Sequence, residues 1–308
     1  MITKFEWNDK RKRAVKKWSF YAALIILPLI QWAIMYVYVN INSFLLAFRR
    51  FDPASETWSF VWFDNFVSLF NDPSMAGIWE YAIWNSLGAW GISVFVGITL
   101  QLLFAYYIFK KGPAGQFFRV VLFLPSILSA TVLISIYKYY ADVFISKIFN
   151  LTDSQGLGII SNNNTRFMSI MFFNVYMSFG VGVLMYTSAM TSISESVFDA
   201  CKIDGVNALQ EFFVIVLPQI VPTITVFIVT GIAGIFTNQI NLFSFYQQRA
   251  IPKIQTVGYY LYIQIYNNGS NYQYYSQPAA LGIMITLVTA PVVLFARWGM
   301  KKVNPMED

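Results

Sequence analysis

The stretch "TNQINLF" places Asn238, Gln239 and Asn241 in a long apolar run. A carboxamide offers both hydrogen-bond donors and acceptors, so three of them together could hold a hydroxyl-bearing solute. The same residues serve as hydrogen-bonding glue between helices in an apolar medium. Asn174, Tyr176 and Ser178, in "NVYMS", form a second polar set inside another apolar run. Lys138 and Asp142 stand one helical turn apart, a spacing at which opposite charges pair.

Other chemistry is missing from the sequence. There is no histidine, which removes the commonest general base and metal ligand. The lone Cys201 excludes an intrachain disulfide and a cysteine-ligated metal cluster. No G-x-x-x-x-G-K-[ST] loop occurs, so ATP binding in the Walker manner is not expected. H-E-x-x-H, C-x-x-C and nucleophile-elbow patterns are absent too. Membrane enzymes and ion-coupled carriers work through ionisable groups deep in their spans, and the apolar runs here have almost none. Driving energy must then come from elsewhere, and a partner ATPase fits that need.

The elements that position these residues are read from hydropathy. Of 308 residues, 57% are hydrophobic and 12% charged, with a mean hydropathy of +0.53. Soluble domains carry about 25% charged residues. Apolar runs at roughly 19–39, 82–109, 120–141, 167–187, 219–243 and 277–298 are each long enough to cross a bilayer as a helix. Seven of the 21 Lys and Arg fall in the first 17 residues, around "KRKRAVKKW". A basic cluster directly before the first span marks a cytoplasmic N-terminus, and its apolar run is too long for a cleaved signal peptide. Six spans then return the C-terminus, with Arg297, Lys301 and Lys302, to the same side. Lys110, Lys111, Arg119 and Lys202 join them there, for 14 of the 21 basic residues. The net charge of +6 is thus a topology signal, not a nucleic-acid footprint. The chain reads as a basic N-terminus (1–18), a membrane domain (19–298) and a short tail (299–308).

Two expected outer loops are aromatic. In "FDPASETWSFVWFDNFVSLFNDPSM", Phe63, Phe66, Val67 and Phe70 recur at helical spacing between two Asp-Pro turn signals. They predict a short amphipathic helix, lying on the membrane surface or packing on the bundle. The tyrosine-rich segment 244–276 suits an aromatic belt or a surface that meets a partner protein.

One polar insert, "DACKIDGVNALQEFFVIVLP" at 199–218, separates the fourth and fifth runs on the cytoplasmic side. Upstream, Ser192 with Glu195 has capping-box spacing, and a first helix is expected to end near Ile203. Asp204-Gly205 breaks it, because Gly accepts the positive φ of a helix end. A second helix can start at Asn207 with Gln210 at its third position. Val197, Ala200 and Cys201 form one apolar face of the first helix. Phe212, Phe213 and Val216 are expected to anchor the second.

This insert resembles the "EAA" loop of permease subunits in binding-protein-dependent type I ABC importers. Ala200, Asp204, Gly205, Phe212, Ile215, Leu217, Pro218 and Pro222 stand at that family's spacing. Asp199 replaces its Glu, Cys201 its second Ala and Val206 its third; in that family the Glu position would contact the ATPase, and the shorter Asp199 implies a different partner there. "WFDNFVSLFNDP", "WNSLGAWGISVFVGITLQLLFAY" and "FRVVLFLPSILSATVLISIY" extend the resemblance over about residues 20–300, nearest to carbohydrate-type permeases. The resemblance implies an all-α, six-helix bundle in a bacterial or archaeal cell membrane. It implies a coupling loop at 188–218 in which Asp199, Ala200, Cys201, Asp204, Gly205, Phe212, Leu217 and Pro218 engage a cytoplasmic ATPase dimer. It further implies a second homologous permease and an extracellular solute-binding protein. ATP and Mg²⁺ would sit on the ATPase and no cofactor on this chain. Asn238, Gln239, Asn241, Asn174 and Tyr176 are the candidate solute residues. An autonomous carrier or channel for a small polar solute is the alternative, and it leaves the 199–218 insert without a purpose.

Overall fold

In an apolar medium a helix satisfies its own backbone hydrogen bonds, and the long apolar runs fold accordingly. A computed structural model describes residues 3–150, 152, 156, 158–269 and 271–303, without the side chains of 3–11, 13, 74, 272 and 303. Lys4, Lys10, Arg11 and Arg13 of the basic cluster, as side chains, lie outside the described residues, as do positions 304–308 of the tail.

In chain order the elements are α1 (Ala14–Ala47), β1 (Arg49–Asp52), β2 (Thr57–Phe60), α2 (Asp64–Asn71), α3 (Ile78–Phe109), α4 (Gly115–Ile127) and α5 (Ala130–Ile148). There follow α6 (Arg166–Thr191), α7 (Glu195–Ile203), α8 (Ala208–Gln219), α9 (Val221–Ala233), α10 (Leu242–Tyr246), α11 (Val257–Asn268) and α12 (Ser276–Lys302). Among the described residues four helices, α1, α3, α6 and α12, are long and apolar enough to cross a membrane; counting each bent pair as one span gives up to six.

Both bent pairs correct the expected spans. The third run is not one helix: α4 and α5 meet at 105°. Pro125 lacks a donor and crowds the preceding turn, and the backbone is extended at Leu128 and Ser129. In the fifth run α8 and α9 meet at 67°, with Pro218 and Pro222 flanking the break. The helix then stops at Ala233, ten residues short of expectation, and positions 234–241 are turns and irregular backbone. The physical cause is "TNQIN": short polar side chains bond the nearby backbone and compete with the helix, as Asn238 Oδ1 does in accepting the Ile240 N–H at 2.8 Å. An all-helical chain also omits the antiparallel hairpin β1–β2, paired from Arg49↔Phe60 to Asp52↔Thr57. The tyrosine-rich segment contains a helix, α11, whose start is capped by Thr256.

Cα packing resolves two units, Met1–Leu69 with Ser270–Met284, and Phe70–Gly269 with Ile285–Asp308. In the first, buried Asn65 on α2 donates to the carbonyls of Ala47 (2.8 Å) and Arg49 (2.9 Å) and accepts from the Arg50 guanidinium (3.1 and 3.0 Å). One amide thereby clamps α2 onto the end of α1 and the hairpin. At the hairpin turn Asp52 accepts from the Ser55 hydroxyl and the Ala54 N–H, which hold its carboxyl below the usual carboxylate range.

The second unit has two apolar cores. One gathers Ile134, Ile170, Phe173, Leu242, Phe245 and Tyr259; the other gathers Leu102, Val183, Tyr186, Met190, Phe212 and Val216. Close approach of α6 to its neighbours needs glycine. A Cβ at Gly180 would overlap the Leu122 carbonyl on α4, and one at Gly182 the Gln101 amide on α3. The expected Lys138–Asp142 pair does not form. Lys138 donates to the Phe245 carbonyl (2.8 Å), and Asp142 accepts from the Ile160 and Ser161 N–H groups and the Ser161 hydroxyl.

Candidate functional site

The 188–218 insert is a helix–turn–helix. Helix α7 runs Glu195–Ile203, Asp204 follows it, and Gly205 adopts φ 68°. Its N-cap is Ser194, not Ser192. The Ser192 hydroxyl turns back to the Ala189 carbonyl (2.7 Å), so the Ser192–Glu195 box is not made. The second capping box is made in both directions: the Gln210 N–H reaches Asn207 Oδ1 at 2.9 Å, and the Asn207 N–H reaches Gln210 Oε1 at 3.2 Å.

Helix periodicity gives α7 two faces. Cys201 is buried, and Val197 and Phe198 pack on the second core. Ser196, Asp199, Ala200 and Ile203 recur at one helical face and are exposed, Ile203 by 86%. Of the expected apolar face, Cys201 is buried and Val197 half-buried, while Ala200 is exposed. Asp199 pairs with Lys202 at 2.9 Å, which raises the Lys202 pKa; both are solvated, and such surface pairs contribute little. Beyond the turn, Phe212 and Val216 are buried as expected, but Phe213 is 57% exposed. Leu217 is half-buried, and Pro218 is exposed.

A polar latch not foreseen from the sequence secures this insert to α3. Glu211, 7% exposed, accepts from Lys110 Nζ at 2.9 and 3.0 Å. The Tyr106 hydroxyl donates to the Ala208 carbonyl (3.0 Å) and lies 3.3 Å from Glu211 Oε1, and the Tyr106 and Phe212 rings are 4.9 Å apart. A charge this buried requires a partner, so a lone acid in "LQEFFVIV" was the available signal. Only the fold names the partner. Beside the latch a basin of about 1050 Å³ opens, lined among others by Lys110, Lys111, Arg119, Glu195, Phe198 and Asp199.

The second candidate set gathers at the turns that end α9. Asn241 Nδ2 donates to Asn174 Oδ1 on α6 at 2.7 Å, and Asn174 Nδ2 donates to the Ile170 and Ile240 carbonyls, both at 2.9 Å. These two amides are therefore spent on each other and on the backbone. Gln239 Oε1 is buried without a hydrogen-bond partner among the described residues, as is the indole N–H of Trp90. Tyr176 is 43% exposed and shares no hydrogen bond with the amides. The turn is held tightly: the Thr256 hydroxyl donates to the Asn238 carbonyl (3.0 Å), and a Cβ at Gly258 would overlap the Thr237 carbonyl. Ile240 and Asn241 lie at φ 45° and 58°. For a β-branched residue that is a strained conformation, the kind that persists at sites where the surroundings impose it.

No family model matches the chain. Among curated proteins it is 27% identical over 217 residues to the probable ABC transporter permease protein YurN of Bacillus subtilis (strain 168), covering 66% of this chain and 71% of that one. It is 24% identical over 275 residues to the arabinooligosaccharides transport system permease protein AraP of the same organism, covering 87% and 84%. Among solved structures it superposes on a chain of the bacterial alginate ABC transporter in complex with alginate pentasaccharide-bound periplasmic protein. That match has a TM-score of 0.74 and 21% identity, and covers 95% of this chain and 97% of that one. The chain has the fold of an ABC importer permease and is a homologue of the permeases of ABC sugar transport systems.

Proposed function

We propose that the chain is the membrane subunit of an ATP-driven importer. With a second, related permease it forms the pathway for a sugar or oligosaccharide delivered by an extracellular binding protein. The observation that carries this reading is the helix–turn–helix at 195–219. It combines a solvated face of Asp199, Ala200 and Ile203 with a half-buried ionic latch to α3. An exposed isoleucine beside an acid, on a helix of nine residues, suits a cleft on a partner protein. In this proposal the 193–212 element seats in a cytoplasmic ATPase dimer that holds ATP and Mg²⁺. Closure of the dimer moves the insert, and the latch passes that movement to α3. The chain itself performs no hydrolysis, and the bilayer it occupies is the cell membrane with both termini inside.

The amide turn supports the saccharide part of the reading. Gln239 Oε1 is an unspent buried acceptor, of use to a sugar hydroxyl, on a turn pinned by the bonds of Asn238 to Ile240 and of Asn241 to Asn174. Gentle purification of the tagged chain from its host, with its companions identified by mass spectrometry, tests the assembly. Recovery of an ATPase and a second permease, with ATP hydrolysis stimulated by particular saccharides, is the expected result. Recovery of the chain alone, under conditions that preserve other membrane complexes, overturns it in favour of an autonomous carrier.

A further inference from the structure

We propose that the end of α1, the β1–β2 hairpin and the first turn of α2 form an aromatic anchor seated in the headgroup–acyl boundary of a phospholipid bilayer. The anchor is a continuous ladder of rings. Phe44, on the last turns of α1, lies 5.2 Å from Phe48. Phe48 in turn meets Phe60 (6.3 Å), Phe63 (5.7 Å) and Phe66 (5.4 Å), and Phe60 stands edge-on to Trp62 at 5.0 Å.

Phe48 and Phe66 are the half-buried hub of the ladder, and Phe44, Phe60, Trp62 and Phe63 are its exposed rungs. Asn65 and Leu69 are the buried side of α2, at 0% and 1% exposure. Phe63 and Val67, on the opposite side by helical periodicity, are exposed by 62% and 54%. Phe60 and Trp62 are exposed by 52% and 68%. Trp62 sits at φ 49°, a left-handed conformation that bulky residues rarely adopt, and it ends with its indole outward.

Lipid is the occupant the surroundings favour. The ladder continues without a break from α1, whose apolar stretch is nowhere buried by the protein. The segment "WSFVWF" at 58–63 carries no charge, while Asp52, Glu56 and Asp64 flank it. Indole rings favour the headgroup level, and an exposed apolar helix face embeds at that depth. Asn65 and the Arg50 guanidinium are bonded to each other, and Asn65 also to the Ala47 and Arg49 carbonyls, so the polar side of α2 is spent inward and the rings are what it leaves outside. Nothing in the anchor depends on the transport reading.

Spin labels read the surroundings directly. Phe63→Cys and Val67→Cys chains are labelled, purified with whatever subunits accompany them, and reconstituted into phosphatidylethanolamine–phosphatidylglycerol vesicles. Leu27→Cys on α1 serves as the lipid reference and Ala54→Cys in the hairpin turn as the water reference. Cys201, 5% exposed, is the labelling blank. The expected result is an oxygen-to-nickel-chelate accessibility ratio several-fold above that of position 54 at both sites, at a shallower depth than position 27. A ratio equal to that of position 54 places the ladder in water and overturns the anchor. Low accessibility to both reagents means a protein covers it, and overturns the anchor equally.

Discussion

Three residues, Glu211, Lys110 and Tyr106, form the polar latch of the insert. Glu211 is a buried carboxylate with a bidentate lysine and a tyrosine hydroxyl at its oxygens. Removing one partner leaves the charge uncompensated, whereas removing both charges together need not destabilise. Lys110→Met is expected to cost about 1–3 kcal/mol, measured as a lower melting temperature of the purified chain. Adding Glu211→Leu should recover part of that loss, and a double-mutant cycle measures the coupling. At the amide turn the two candidates separate by what they already bond. Asn241→Ala loses its bond to Asn174 and should cost about 1 kcal/mol of stability. Gln239→Ala loses no bond and should leave melting unchanged while weakening saccharide affinity. Unchanged affinity, read by solute-stimulated ATP hydrolysis, removes Gln239 from the pathway.

At the scale of elements, glycines decide what can touch and what can turn. Space around Gly205 is open, so its requirement is the φ of 68° rather than room. Gly205→Val puts a β-branched residue in the left-handed region at about 1–2 kcal/mol. It should tilt α7 against α8 and uncouple ATP hydrolysis from uptake while expression persists. Gly205→Asn, which tolerates that φ, should retain coupling. Full uptake by the valine variant would count against the insert as a lever. Gly180 has the opposite need, room without special φ, where α6 crosses α4. Gly180→Val should force the helices apart and destabilise by about 1–3 kcal/mol, seen as a lower melting temperature in detergent.

For the whole molecule, the number of crossings follows from whether each bent pair spans the bilayer or re-enters it. If both bent pairs cross, the 192–207 segment lies on the same side as the N-terminus, and 158–165 on the other. If both are re-entrant, each segment changes side. Ile203→Cys and Asn163→Cys labelled with a membrane-impermeant maleimide in intact cells distinguish these. Six crossings, with the N-terminus inside, predict labelling at 163 from outside and at 203 only after permeabilisation. The reverse pattern leaves four crossings and puts α7 beyond the reach of a cytoplasmic ATPase.

Hydrophobic length and charge bias are one-dimensional properties, so the sequence alone determined the membrane class, the four unbroken helices and the position of the polar insert. Local chemistry likewise marked the Asp204–Gly205 stop and the Asn207–Gln210 box, because each is satisfied within a few residues. The Ser192 box failed for a local reason as well, since its hydroxyl was taken by the turn behind it. What only the tertiary structure decided involves partners far apart in the chain. Lys110 meets Glu211 101 residues away, and Asn174 meets Asn241 67 residues away. No pattern in either segment names its partner, because each pairing depends on how distant elements pack and not on neighbours in the chain. The bends of 105° and 67° escaped hydropathy for a related reason. A window average registers how apolar a run is, whereas direction is set by single prolines and extended residues within it.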